Sequence, residues 1–294
     1  MIPASFDYER ASSLDEALSL LAAGGEDARP LAGGHSLLPL MRLRLARPTL
    51  LVDIGGIDEL RGVHDDGDSV VIGALATHHE VAGASALTGG SGLIAKVAEG
   101  IGDPQVRHRG TLGGSVAHAD PASDLPAALL ALDAEVTLAG RDGARSVAAA
   151  DFFVGPFMSA AADGEIVTGV RVPKREGWGS AYQKFQRRAQ DWAIVGVAAV
   201  VNWTEDGIAG AAIGLTNMGG TPLRAHGVET ALVGTSEKAQ ILAAASKVSG
   251  LETPPADENA SSEYRLHLAQ VLIGRAVAEA AGCPGMQPGF DGTC

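Results

Sequence analysis

Apolar and polar positions along the chain switch between a helical and a strand period. In "SLDEALSLLAAGG" (13–25) the apolar residues recur at helical spacing. Ser13 stands three residues before Glu16, the spacing of a capping box, and Gly24 closes the run, so an amphipathic helix is predicted. "TLLVDI" (49–54) is a short apolar run closed by Gly55-Gly56, and "VVIGALA" (70–76) follows the turn-rich "HDDGD"; both predict strands. "GLIAKVAEGI" predicts a helix. "AEVTLAG" and "RSVAAADFF" predict a hairpin around "RDGA", and "GEIVTGVRVP" predicts a strand that Pro173 ends. Such alternation predicts an α+β or α/β class.

After Pro173 the pattern changes. "GSAYQKFQRRAQDWAIVGVAAVVNW" and "GIAGAAIGLTNMGG" predict long antiparallel strands joined by "TEDG". Helical runs follow in "GVETALVG", "KAQILAAASKVSG" and "SSEYRLHLAQVLIGRAVAEAA", with the polar, Pro-rich "LETPPADENA" between the last two. A domain boundary is therefore expected near residue 175, with a strand-then-helix domain over 176–282 and a loose tail over 283–294.

Composition narrows the function. With 46% hydrophobic residues in 294, the chain can bury a sizeable core. A net charge of −13 argues against broad binding to a nucleic-acid backbone. "MIPASFDYER" has neither a basic start nor an apolar run, and "WAIVGVAAVVNW" is too short to span a bilayer, so a cytoplasmic protein without a membrane span is expected. The two cysteines, Cys283 and Cys294, cannot supply the four thiolates of an iron–sulfur cluster. The eight histidines contain no HExxH motif, and no metal site is expected.

Two stretches carry candidate chemistry. "PLAGGHSLLPLMRLRLARP" (30–48) and "RGTLGGSVAHADPASDLPAALLAL" (109–132) each join a Gly-Gly pair to a hydroxyl residue and then an apolar helix. Glycine lets backbone N–H groups at a helix start approach an anion closely. Ser36 is expected to cap a helix over 37–46, and Thr111 and Ser115 flank Gly113-Gly114 in the same manner. Neither loop ends in Lys-Ser/Thr, so a phosphate held but not transferred is predicted, and two loops suit the two phosphates of a pyrophosphate. Each loop taken alone is equally compatible with a plain structural turn. "GSGLIA" (90–95) fits G-x-G-x-x-A but follows no strand and is not taken as a dinucleotide fingerprint. Arg42, Arg44 and Arg47 are expected on a solvated or subunit-facing surface.

These two stretches, with "FDYERASSLDEAL", "RVP" and "KFQRRAQDWAIVGVAA", resemble the flavin-binding medium subunit of the molybdenum hydroxylases, and the first is most similar to the aerobic carbon monoxide dehydrogenase branch. The resemblance covers nearly the whole chain. It implies an α+β fold: an FAD-binding (PCMH-type) N-terminal part of two α/β subdomains, about 1–57 and 58–175, then a C-terminal domain of a small antiparallel sheet with helices. It implies noncovalent FAD, its pyrophosphate held by Ala32, Gly33, Gly34, His35 and Ser36 and by Thr111, Gly113, Gly114 and Ser115. Ser115 stands where the family often has Asn. By position, Asp124 and Lys184 match cofactor contacts, and Ile101 matches a residue packing on FAD. Trp192 in "DWA" falls near the flavin ring or is an ordinary core aromatic.

The resemblance further implies a relay with no catalytic residue on this chain. A large molybdenum-binding subunit oxidises the substrate, a small subunit with [2Fe–2S] clusters passes electrons here, and FAD hands them to an acceptor such as a quinone, within a dimer of heterotrimers. Carbon monoxide is the implied substrate; the same role in an N-heterocycle- or aldehyde-oxidising complex is the alternative. Two rival classes are a stand-alone FAD oxidoreductase, with flavin attached to the histidine of "GGHS", and a nucleotide-binding scaffold without redox chemistry.

Overall fold

The computed structural model describes residues 2–251 and 253–282; the tail 283–294, with both cysteines, lies outside the described residues. The first unit comprises β1 (Asp7–Arg10), α1 (Leu14–Gly24), β2 (Ala28–Leu31), α2 (Leu37–Arg42) and β3 (Leu50–Asp53). Its strands run parallel in the order β1–β3–β2. Helix α1 lays Ala17, Leu18 and Leu21 into the core beside Val52 and Ala28. The expected capping box is distributed over two serines. Ser13 Oγ accepts from the Glu16 N–H at 3.2 Å, while the Glu16 carboxylate accepts from the N–H and hydroxyl of Ser12 at 2.7 and 2.6 Å. Helix α2 is shorter than the predicted 37–46. Arg44 takes φ +60°, and the N–H groups of Leu45 and Ala46 turn back onto the Leu40 carbonyl, a left-handed stop.

The second unit runs β4 (Val63–Asp66), β5 (Ser69–Gly73), α3 (His78–Ala82), α4 (Gly92–Glu99), α5 (Pro104–Arg107), α6 (Leu112–His118), α7 (Asp124–Ala131), β6 (Glu135–Gly140), β7 (Gly143–Ala148), α8 (Ala149–Phe152), β8 (Phe153–Gly155), β9 (Met158–Ser159) and β10 (Ile166–Pro173). Five strands form an antiparallel sheet, β4–β5–β10–β6–β7. Two predicted strands are trimmed. The 70–76 run leaves the sheet after Gly73, which abuts the Leu60 and Arg61 backbone. The arm 145–153 stops at Ala148, where a helical turn tucks Phe152 into the core.

The third unit holds β11 (Gly179–Phe185), β12 (Val195–Thr204), β13 (Gly207–Thr216), β14 (Leu223–Arg224), α9 (His226–Leu232), α10 (Lys238–Ala245) and α11 (Ser262–Ala280). The strands form an antiparallel sheet in sequence order. The stretch 179–203, read from sequence as one long strand, is two strands that pair Phe185 with Val195 around the polar segment 186–194. Both faces of β12 are buried, and alternate residues go to different cores, as the two-residue period of a strand requires. Val195, Val197, Ala199 and Val201 pack with the helices α9 to α11, whereas Ala198 and Val200 join the core of the second unit. That second core centres on α7, all eight residues of which are buried. Helix α7 lies so close to β13 that a Cβ on Gly214 would collide with the Ala127 carbonyl. Among the described residues no helix is long and apolar enough to cross a membrane.

Candidate functional site

One cavity of about 590 Å³ opens where the three units meet. All thirteen residues singled out in the sequence line it: Ala32, Gly33, Gly34, His35, Ser36, Ile101, Thr111, Gly113, Gly114, Ser115, Asp124, Lys184 and Trp192. Residues of "GSGLIA" do not; Gly90 packs instead beside Arg175 and Val200. Arg42, Arg44 and Arg47 also stay outside, Arg44 and Arg47 bonding to backbone carbonyls of Ile2 and Arg44.

The first loop, Ala32–Ser36, connects β2 to α2. Gly34 turns the chain at φ +75°, a conformation that glycine adopts without strain. The N–H groups of Gly34, His35 and Ser36 meet no acceptor among the described residues. Ser36 precedes α2 but makes no side-chain capping bond, against expectation, because its backbone is already helical (φ −99°, ψ −49°) rather than extended. Its hydroxyl stays available to the cavity. Gly33 has a packing role: a Cβ there would strike the Arg109 carbonyl, so the two glycine loops touch backbone to backbone.

The second loop differs. Thr111 caps α6, its Oγ1 accepting from the Gly114 N–H at 3.2 Å. The Leu112 and Gly113 N–H groups donate to the Ala76 and Ala74 carbonyls, each at 2.9 Å, and Ser115 N–H donates to Thr111 at 3.1 Å. The expectation that this loop presents backbone donors as the first does is therefore corrected: the segment 74–77 takes them. Gly113 allows that pairing, since a Cβ would collide with Ala74. What remains toward the cavity is the Ser115 hydroxyl, 3.4 Å from His78 Nε2.

The inner wall carries a buried ion pair. Asp124 opens α7 and is 5% exposed; Lys184 Nζ lies 2.8 Å from its Oδ2, and the Tyr182 hydroxyl donates to Oδ1 at 2.6 Å. Burial pushes the Asp124 carboxyl up, opposed by the Lys184 charge and the two hydrogen bonds. Burial and the adjacent carboxylate push the Tyr182 phenol well up, so it remains the donor. Trp192 lies in the segment between β11 and β12 and is 60% exposed at the cavity, so it is not a core aromatic.

Sequence reasoning missed Tyr182, His78, His118 and Phe157. Tyr182 carried a signal: it stands two residues before Lys184 and so shares its strand face. His78 is buried in the cavity wall, where burial first, then the charges of His35 and Arg107, pull its pKa down to about 4. His79, expected on a different face, stacks outside on His108 with ring centres 4.0 Å apart. His118 and Phe157 line the cavity with tilted rings 5.2 Å apart, and burial lowers the His118 pKa. Both escaped notice because their partners are distant in sequence.

Chemically, the site combines open backbone donors, hydroxyls, a buried cation–carboxylate pair and an exposed indole in a volume typical of small-molecule sites. It has no general base poised on a nucleophile. Such a set fits a large phosphorylated cofactor: donors without acceptors and a cradle that a side chain at Gly34 would disturb.

The family described as the FAD-binding domain in molybdopterin dehydrogenase matches residues 4–175, and the carbon monoxide dehydrogenase flavoprotein C-terminal domain matches 180–280. The chain is 42% identical to the carbon monoxide dehydrogenase medium chain of Afipia carboxidovorans, over 95% of this chain and 98% of that one. It is 39% identical to the glyceraldehyde dehydrogenase medium chain of Sulfolobus acidocaldarius, over 96% and 100%. A solved structure of reconstituted carbon monoxide dehydrogenase from Oligotropha carboxidovorans superimposes with TM-score 0.92 at 42% identity, over 96% and 99% of the two chains. The chain belongs to the FAD-binding family of the molybdopterin dehydrogenases, in the form that ends in a carbon monoxide dehydrogenase flavoprotein C-terminal domain.

Proposed function

We propose that this chain is the flavoprotein subunit of an aerobic carbon monoxide dehydrogenase. It binds FAD noncovalently in the cavity, receives electrons there from the [2Fe–2S] clusters of a small partner subunit, and releases them to an external acceptor such as a quinone. A large molybdenum-binding subunit carries out the substrate oxidation, in a dimer of heterotrimers in the cytoplasm. The observation that carries the reading is the convergence of both glycine loops, the Asp124–Lys184 pair and Trp192 on one cavity. FAD supplies the redox chemistry, taking up electrons singly and releasing them in pairs.

The chain's own groups bind and orient. The N–H groups of Gly34, His35 and Ser36 and the hydroxyls of Ser36 and Ser115 donate to phosphate oxygens. Ala32, Gly33, Thr111, Gly113 and Gly114 keep the two loops close enough for both to reach one cofactor. Asp124, fixed by Lys184 and Tyr182, presents a carboxylate oxygen to it, while Ile101 and Trp192 offer apolar faces to its rings. The same reading divides the chain into an FAD-binding domain over 1–175, with subdomains 1–57 and 58–175, and a C-terminal domain over 176–282. The ranges of the two family matches support this division.

Purification of the full chain tests the cofactor. A yellow protein that releases FAD into the supernatant on acid precipitation supports noncovalent binding. Colour kept in the pellet overturns it, and a protein that takes up no FAD removes the flavoprotein reading. Identity to the Afipia chain favours carbon monoxide, and the full-length match to the Sulfolobus chain favours an aldehyde as the rival substrate. The complex purified from its native source should bring both partner subunits and bleach its flavin under anaerobic carbon monoxide. Bleaching by an aldehyde alone selects the rival.

A further inference from the structure

We propose that Asn217 is a positioning residue for the cofactor: it ties two walls of the cavity together and so sets where Trp192 stands relative to Asp124. Asn217 follows β13 with φ +61°, a left-handed backbone that Asn and Asp tolerate better than other side chains. Its N–H donates to the Pro121 carbonyl at 2.9 Å, three residues before Asp124. Its side-chain Nδ2 donates to the Ala193 carbonyl at 2.8 Å, one residue after Trp192. One residue therefore grips the segment leading into α7 from one side and the Trp192 segment from the other.

A second residue completes the clamp. Arg265, on α11, is fully buried, and its Nη1 donates to the Ile194 carbonyl and, at 3.4 Å, to the Asn217 carbonyl. Its Nη2 binds Asp257 at 2.7 Å. The two carbonyls that follow Trp192 are thus both held, by side chains reached only through the third unit. Upstream the segment is held differently. Residues 187–190 are exposed, and Gln186 and Asp191 bond only within the segment itself. Trp192, 60% exposed, therefore takes its position chiefly from the carbonyls captured after it. A fully buried arginine and a left-handed asparagine are demanding features to place beneath a surface loop, and the loop's one large side chain lines the cavity.

The inference rests on FAD occupying the cavity. The test uses the full chain stripped of flavin and titrated with FAD, reading the dissociation constant and the fluorescence of the bound flavin, which a nearby indole quenches. Asn217→Asp keeps size and backbone preference but lacks the N–H donor for Ala193. Asn217→Gly keeps the backbone conformation, removes the side chain and adds no charge. Each should weaken FAD binding about fivefold, the ratio for one hydrogen bond of about 1 kcal/mol, and brighten the bound flavin. Trp192→Ala should do the same, and N217D in the W192A background should add nothing further, because the asparagine acts through the tryptophan. Wild-type affinity and quenching in N217D and N217G, or additive losses in the double variant, would overturn the proposal. A wild-type chain that takes up no FAD refutes the functional reading instead.

Discussion

In Ala32–Ser36 three successive N–H groups have no partner among the described residues, whereas in Thr111–Ser115 the four N–H groups from Leu112 to Ser115 each have one. The sequences are alike, Gly-Gly beside a hydroxyl and then a helix, yet one loop is an open set of donors and the other a packed joint. The difference comes from what lies alongside. The second loop runs against 74–77, pairing Thr77 with Thr111, and that segment takes its donors. The first is covered on one side only, where Gly33 meets Arg109. Paired glycines therefore mark a close backbone approach, to a ligand in one loop and to the protein itself in the other.

The sharpest way to break this comparison is to place a side chain where backbones touch. Gly33→Val and Gly113→Val both put Cβ atoms inside backbone or Ala74 contacts that cannot yield cheaply. Each should cost about 3 kcal/mol or more in denaturant unfolding, with FAD lost as a consequence. Gly114→Ala meets only the Thr111 hydroxyl, 2.7 Å from the added Cβ, and should cost far less. If all three variants melt alike, packing does not distinguish these positions.

A second expected effect comes from His78, the buried wall of the packed loop. Unfolded histidine takes up a proton near pH 6.5, whereas burial delays this to about pH 4 in the fold. Between those values the unfolded chain binds more protons, so His78 weakens the fold as pH falls from 6.5 to 4. The loss approaches about 3 kcal/mol. His78→Asn should remove that portion of the acid sensitivity of the flavin-free protein, read as the wild-type minus variant difference in unfolding free energy at pH 7 and pH 4.5. An unchanged difference would mean that His78 is protonated as readily in the fold as out of it.

The same contrast explains what could be read from the sequence. The loops, α1, the helices after 226 and the sheet of the third unit were legible because each rests on local spacing or turn chemistry. Position by resemblance placed Asp124, Lys184 and Trp192, which local pattern alone could not. Tyr182, His78 and Asn217 were not legible, since the groups that give them roles lie 58, 37 and 24 residues away. The break at 186–194 was hidden because the apolar alternation resumes in phase on its far side, and only the polar run "QRRAQD" marks it. Ser36 misled for a subtler reason. Its residue type favours capping, but capping needs an extended backbone, and Gly34 has already turned the chain into the helix.

The smallest expected effects sharpen the comparison most, because they separate stability from binding. Thr111→Ala removes a formed cap, the bond from Gly114 N–H, and should cost about 1 kcal/mol of stability in the flavin-free protein. Ser36→Ala removes a hydroxyl that caps nothing. Its effect on the flavin-free protein should stay within about 0.5 kcal/mol, the range of substitutions that break no internal contact. If the open loop holds phosphate, the same change should weaken FAD about fivefold, since a donor that the protein does not use is then lost to the ligand. The two variants thus predict opposite orders in two measurements: Thr111→Ala is the worse in denaturant, and Ser36→Ala loses affinity without losing stability. A Ser36→Ala protein that melts early and binds FAD normally would reverse the assignment, making the first loop the joint and leaving the donors elsewhere.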